Sequence, residues 1–163
     1  MSLDYRFCIA PMMKKTDRHF RYLSRQFTKK AVLYTEMIHA NAILKGNPEK
    51  LLKYKDIEHP VALQLGGCEP LQLAEAAEVG ASYGYDEINL NVGCPSKKVR
   101  SGNFGVFLMK DIKLLNSCLR AMKKNLSIPL TVKCRIGVDQ HEGDDFLNNF
   151  ISNLSDEGID TFF

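Results

Sequence analysis

The chain has 163 residues, 45% of them hydrophobic and 25% charged, with a net charge of +3 at neutral pH. That mix belongs to a globular chain and excludes a disordered tail, a collagen-like repeat and a disulfide-rich mini-protein. No run of 18 apolar residues occurs, which excludes a transmembrane helix.

In chain order the predicted elements alternate between strand and helix. Residues 6–10 read as an apolar strand stopped by Pro11, which lacks a ladder donor. Thr16 and Asp17 cap a helix carrying Phe20, Leu23 and Phe27 on one stripe. Residues 32–37 are a β-branched and aromatic strand, 39–55 an irregular, partly helical stretch, and 60–65 a third strand ended by Gly66 and Gly67. Pro70 opens a helix at its N1 position, with Leu73, Ala74, Ala77 and Ala81 as a small-residue face.

Residues 87–92 form a fourth strand, followed by a loop over 93–110. Asp111 caps a helix with Leu115, Leu119 and Met122 at helical spacing, and 129–135 is a fifth strand. Asp144 and Asp145 start a helix bearing Phe146, Leu147, Phe150, Ile151 and Leu154. Gly158 ends it, and Thr161, Phe162 and Phe163 open a sixth strand. Such alternation predicts an α/β fold, a parallel sheet with helices packed on it. Two architectures fit: an open doubly wound sheet, or part of a (βα)8 barrel. The first strand leads into Ala10-Pro11-Met12 instead of GxGxxG, which argues against a dinucleotide site.

The charge is uneven. Residues 13–30 hold Lys14, Lys15, Arg18, Arg21, Arg25, Lys29 and Lys30 against Asp17 alone, and Lys97, Lys98 and Arg100 form a second cluster. Clusters of this kind favour a polyanionic partner through counterion release, or are solvated helix faces. The five cysteines, Cys8, Cys68, Cys94, Cys118 and Cys134, are odd in number and form no CxxC pair. Neither a metal site nor a disulfide framework is expected, and a reducing cytoplasm is the expected compartment. The N-terminus shows no signal h-region.

Parity along the strands separates two faces. Leu130, Val132 and Cys134 share one face, Thr131, Lys133 and Arg135 the other; Ile88, Leu90 and Val92 oppose Asn89 and Asn91. Gln64 sits among apolar neighbours near the end of its strand. The apolar parity belongs under helices, so the polar parity points into the barrel or crevice, where parallel α/β folds keep their sites. Each polar residue has a plainer role available: cross-strand hydrogen bonding for Gln64, Asn89 and Asn91, and snorkelling for Lys133 and Arg135. Taken together they favour a bound polar ligand, since burying unpartnered polar groups costs about 1–3 kcal/mol each. Cys94 follows the fourth strand directly, in Asn91-Val92-Gly93-Cys94-Pro95-Ser96. A free thiol, with a pKa near about 8.5, is mostly protonated at neutral pH and can donate a proton or attack. Alternatively it is a small hydrophobe filling a loop.

Six strings occur in series: Ala10-Pro11-Met12, Thr16-Asp17-Arg18-His19, Tyr34-Thr35-Glu36-Met37, the stretch from Pro60 to Gly67, the stretch from Tyr85 to Ser96, and Val132-Lys133-Cys134-Arg135-Ile136-Gly137. Together they resemble the tRNA-dihydrouridine synthases, in particular the bacterial DusA subfamily. The resemblance implies a flavin-dependent (βα)8 barrel that reduces the C5=C6 bond of a uridine in the tRNA D-loop. It implies FMN as cofactor, NADPH as reductant and tRNA as partner. Cys94 takes the general-acid role; Pro11, Met12 and Met13 match backbone lying along the flavin; Gln64 and Lys133 match flavin-ring ligands; Asn91 matches a nucleotide contact, with Arg135 lining the same pocket. The basic segments would then meet tRNA phosphates.

Two departures stand out. Lys14-Lys15 replaces the usual Asp-Trp of the family, and the chain has no Trp. A (βα)8 barrel typically needs about 250 residues. Residues 1–163 are therefore expected to be the N-terminal part of the FMN-binding barrel, an incomplete one with about five βα units and the start of a sixth strand. The C-terminal barrel strands and a helical tRNA-binding domain would lie outside it. The alternatives are another FMN barrel, such as a dihydroorotate dehydrogenase relative, or a truncated, catalytically inactive remnant.

Overall fold

The computed structural model describes residues 3–96, 99 and 101–163; the basic residues Lys97, Lys98 and Arg100 lie outside the described residues. Strands β1 (Cys8–Ile9), β2 (Val32–Tyr34), β4 (Val61–Gly66), β5 (Glu87–Asn91) and β6 (Leu130–Lys133) run parallel, in the order just given. The short strand β3 (Ile38–His39) pairs with the C-terminal end of β4. Phe162 adds a parallel bridge to Val132, so a sixth barrel strand begins beside β6 as predicted. The helices are α1 (Arg18–Phe27), α2 (Ala40–Lys45), α3 (Pro48–Leu51), α4 (Pro70–Ser82), α5 (Ile112–Lys123) and α6 (Asp144–Asp156). This is a half-barrel, the first part of a (βα)8 architecture. Among the described residues, no helix is long and apolar enough to cross a membrane.

Strand parity builds the two sides of the sheet. Val61, Leu63, Leu65, Ile88, Leu90, Leu130 and Val132 pack beneath the helices in the main apolar core. The opposite parity faces inward, where Val32, Tyr34 and Ala62 form a smaller cluster with Tyr5 and Phe163 against it. Helix α4 meets the sheet through Leu73, Ala76, Ala77 and Gly80. Of the predicted face, Ala74 and Ala81 are only half-buried. The contact turns toward Gly80 because a Cβ there would stand 2.5 Å from Leu63 and 2.9 Å from Ile88, closer than a side chain allows. Helix α5 buries Leu115, Leu119 and Met122 as predicted, and Asp111 caps it by accepting from the Leu114 N–H.

Helix α1 inverts its predicted face. Asp17 caps it through the N–H groups of His19 and Phe20, but Phe20, Leu23 and Phe27 are 38%, 55% and 83% exposed. Arg21, Ser24 and Arg25 are buried instead. The Arg21 guanidinium pairs with the Glu58 carboxylate at 2.7 Å and donates to the Thr16 carbonyl. Arg25 donates to the carbonyls of Thr28, Ala31, Glu58 and Pro60. Guanidiniums can be buried only where such partners are supplied. Two of the cations in the 13–30 cluster are thus spent inside the fold and are withdrawn from any phosphate surface.

One further prediction is corrected. The strand predicted over 32–37 stops at Tyr34, and Lys14 N–H donates to the Glu36 carboxylate in the loop beyond it. Lys14 itself has a positive φ of 60°. Phe162 and Phe163 are half-buried: Phe162 packs on the helix-side core, while the Phe163 ring meets Tyr5 and Tyr34 edge-on at 5.5 and 5.7 Å.

Candidate active site

The C-terminal ends of β4, β5 and β6 open into a cavity of about 280 Å³. Around it the fold brings together Pro11, Met13, Gln64, Asn91, Cys94, Lys133 and Arg135, predicted from four separate stretches of chain. Met12 is not in this lining. Its N–H donates to Thr16 Oγ1 and its carbonyl accepts from Lys15 and Thr16, so its backbone closes the turn before α1. A larger cleft of about 590 Å³ lies on the flank, among Arg18, Glu49, Lys50, Lys53 and Asp56. It contains charges of both signs and no cysteine, and it is remote from the strand ends where parallel α/β folds carry chemistry.

Register sets the layers of the site. Gln64, Asn89 and Thr131 are cross-strand neighbours, and Asn91 pairs with Lys133 one step nearer the cavity. The Gln64 amide donates from Nε2 to Asn89 Oδ1 at 2.8 Å, and its Oε1 accepts from Asn91 Nδ2 at 3.0 Å. The plainer reading of Asn89, cross-strand hydrogen bonding, therefore holds. Gln64 and Asn91 do the same and also reach the cavity. Each spends one amide N–H on these bonds and retains the other.

The Cys94 loop is held from several sides. Asn91 Oδ1 accepts from the N–H groups of Gly93 and Cys94 at 3.2 and 3.0 Å. Arg135 Nε donates to the Gly93 carbonyl at 2.7 Å, and Val106 N–H donates to the Cys94 carbonyl at 3.1 Å. Gly105, at φ +62°, makes that approach possible: a Cβ there would sit 2.8 Å from the Cys94 oxygen. The Cys94 thiol is half-buried beside Ser96 Oγ at 3.6 Å. The other cysteines pack against the apolar clusters, and Cys134 also borders the cavity. Burial pushes the Cys118 thiol up to about 12 and raises those of Cys8, Cys68 and Cys134.

Met37 and Pro95 also line the cavity and carried no role in the sequence reading. Met37 stands in the loop past the end of β2, where the sequence predicts strand. The deeper polar residues Thr131 and Glu87 were visible only as strand positions, although Glu87 breaks the apolar setting and is fully buried. Desolvation pushes its carboxyl above the ordinary carboxylate range, against hydrogen bonds from Thr131 and Tyr34.

The donor set suits a ligand that presents acceptor atoms and negative charge. Lys133 lines the cavity and forms no ion pair among the described residues. A fixed cation beside amide N–H groups would complement such charge in a low-dielectric pocket.

Comparison with known proteins identifies the family. The family profile for dihydrouridine synthase (Dus) matches residues 8–163. A tRNA-dihydrouridine(20/20a) synthase from Synechocystis sp. is 53% identical, over 94% of this chain and 46% of its own. Proteins of the same name from Shewanella oneidensis and Salmonella typhi are 48% and 51% identical, over 99% and 94% of this chain and 48% and 46% of theirs. The chain spans about half the length of the curated relatives it matches. With the family profile covering nearly all its residues, this chain belongs to the dihydrouridine synthase family.

Proposed function

We propose that this chain is the N-terminal, cysteine-bearing part of a flavin-binding barrel that reduces the C5=C6 bond of a D-loop uridine in tRNA, in the cytoplasm. The observation that carries the reading is the convergence of Gln64, Asn91, Cys94, Lys133 and Arg135 on one cavity at the strand ends. FMN, reduced by NADPH, would supply the hydride for C6. Lys133 and Gln64 would hold its ring, and the backbone at Pro11 and Met13 would lie along it. A cavity of about 280 Å³ has the scale of a ring system rather than of a whole nucleotide cofactor.

The chain's own residues would then act on the base. Asn91 Oδ1 is occupied by two loop N–H groups, so the amide can offer only an N–H, which suits a carbonyl oxygen of uracil. Cys94, fixed by Asn91 and by the Arg135 contact to Gly93, would deliver its thiol proton to C5 and regain it from solvent. C5 and C6 are hidden in a stacked base, so the uridine must be turned out of its stack to reach the thiol. Lys14 and Lys15 directly follow Met13 of the cavity lining, are exposed, and would meet tRNA phosphates.

A full-length barrel carrying these residues, given FMN, NADPH and unmodified tRNA, is expected to form dihydrouridine in the D-loop. Mass spectrometry of digested tRNA checks this, and absence of the +2 Da uridine would overturn the proposal. The half-barrel alone is expected to retain little or no FMN on purification, a point that flavin fluorescence tests.

A further inference from the structure

The inward polar residues of β4, β5 and β6 form one continuous hydrogen-bonded chain, and every link points the same way. Cys94 and Gly93 N–H donate to Asn91 Oδ1; Asn91 Nδ2 donates to Gln64 Oε1; Gln64 Nε2 donates to Asn89 Oδ1. Asn89 Nδ2 donates to Thr131 Oγ1 at 2.7 Å, and Thr131 donates to Glu87 Oε1 at 2.5 Å, where the Tyr34 hydroxyl also donates. Gln64, Asn89, Thr131 and Glu87 are at most 1% exposed, so water does not compete for these partners.

An amide can be turned over at almost no steric cost, exchanging a donor for an acceptor. Nothing within Gln64, Asn89 or Asn91 chooses between the two arrangements. The ends of the chain do. At the top, backbone N–H groups can only donate. At the bottom, Glu87 Oε1 accepts from the Thr131 and Tyr34 hydroxyls. Thr131, having given its hydrogen to Glu87, can only accept from Asn89.

We propose that Thr131 and Glu87 are positioning residues. Through Asn89 they set the orientation of the Gln64 and Asn91 amides, and so hold the Cys94 loop and fix which hydrogen-bonding groups line the cavity. Neither touches the cavity itself. The inference rests on the function proposed above only for its consequence in catalysis; the orientation of the chain is a property of the half-barrel.

The test is site-resolved amide hydrogen exchange on the 163-residue protein. Thr131→Val has nearly the same shape but no hydroxyl, and leaves Asn89 Nδ2 without an acceptor. The Gly93 and Cys94 amides are expected to exchange about tenfold faster, the consequence of one lost buried hydrogen bond. Amides on the helix-facing positions of β4 and β5 should keep their protection. Thr131→Ser restores the hydroxyl and should return both loop amides to wild-type rates. Glu87→Leu should mimic Thr131→Val, and where that variant fails to fold, the Thr131 pair carries the test. Unchanged loop exchange in Thr131→Val would overturn the proposal, as would acceleration spread evenly over the sheet, or no rescue by serine. These readings need no catalysis, so a barrel that makes no dihydrouridine would sink the proposed function and leave this result standing.

Discussion

The interior of β4–β6 and the outer flank at α1 solve opposite problems with opposite residues. In the interior, polar side chains stand where a sheet usually buries aliphatic ones, and each finds a partner one strand away. On the flank, aromatic and aliphatic side chains stand in solvent while two arginines are buried beneath them. The lesson is that burial follows the supply of partners as well as hydropathy. Arg21 lies inside because Glu58 and the Thr16 carbonyl meet it, and Phe27 lies outside because nothing among the described residues covers it.

The buried pair is the sharpest way to break this contrast. Arg21→Ala leaves the Glu58 carboxylate buried without its cation, and should cost about 3–5 kcal/mol, read from the urea midpoint. Gly105→Ala comes next: it forces a Cβ toward the Cys94 carbonyl at an unfavourable φ, and should cost about 1–3 kcal/mol. Its signature is local, with chemical-shift changes concentrated around Cys94.

A pH dependence separates the two regions more finely. Glu87 is an acid whose folded value lies above 4.5, so above that pH the folded state holds a proton that the unfolded state has lost. Its contribution therefore weakens stability as pH rises from 4.5 through the folded value, the reverse of a salt-bridged carboxylate. Glu87→Gln should remove that slope from a series of urea midpoints. The smallest effect belongs to the flank: Phe27→Ser should change stability by no more than about 0.5 kcal/mol, since the ring is 83% exposed.

Much of the interior was legible because a strand has a period of two. Once Leu130 and Val132 were assigned to the helix side, Thr131 and Lys133 had to face the other way, and the structure agrees. The order of elements and the start of a sixth strand followed from the same apolar runs. The α1 face was misread because a 3.6-residue stripe reports only where apolar residues lie. The partner that draws Arg21 inward is 37 positions away. The cavity was legible from Asn91, Cys94 and the strand-end cations. The links from Glu87 to Gln64 were not, because they depend on the register that sets Gln64 opposite Asn89 and Asn89 opposite Thr131.

The central claim is that Cys94 supplies the proton. In a full-length barrel carrying these residues, dihydrouridine formed in deuterated water should carry solvent deuterium at C5. Cys94→Ala should slow its formation by about 10²–10⁴-fold, the range of a lost general acid. A variant that forms C5-labelled dihydrouridine at the wild-type rate would contradict the account.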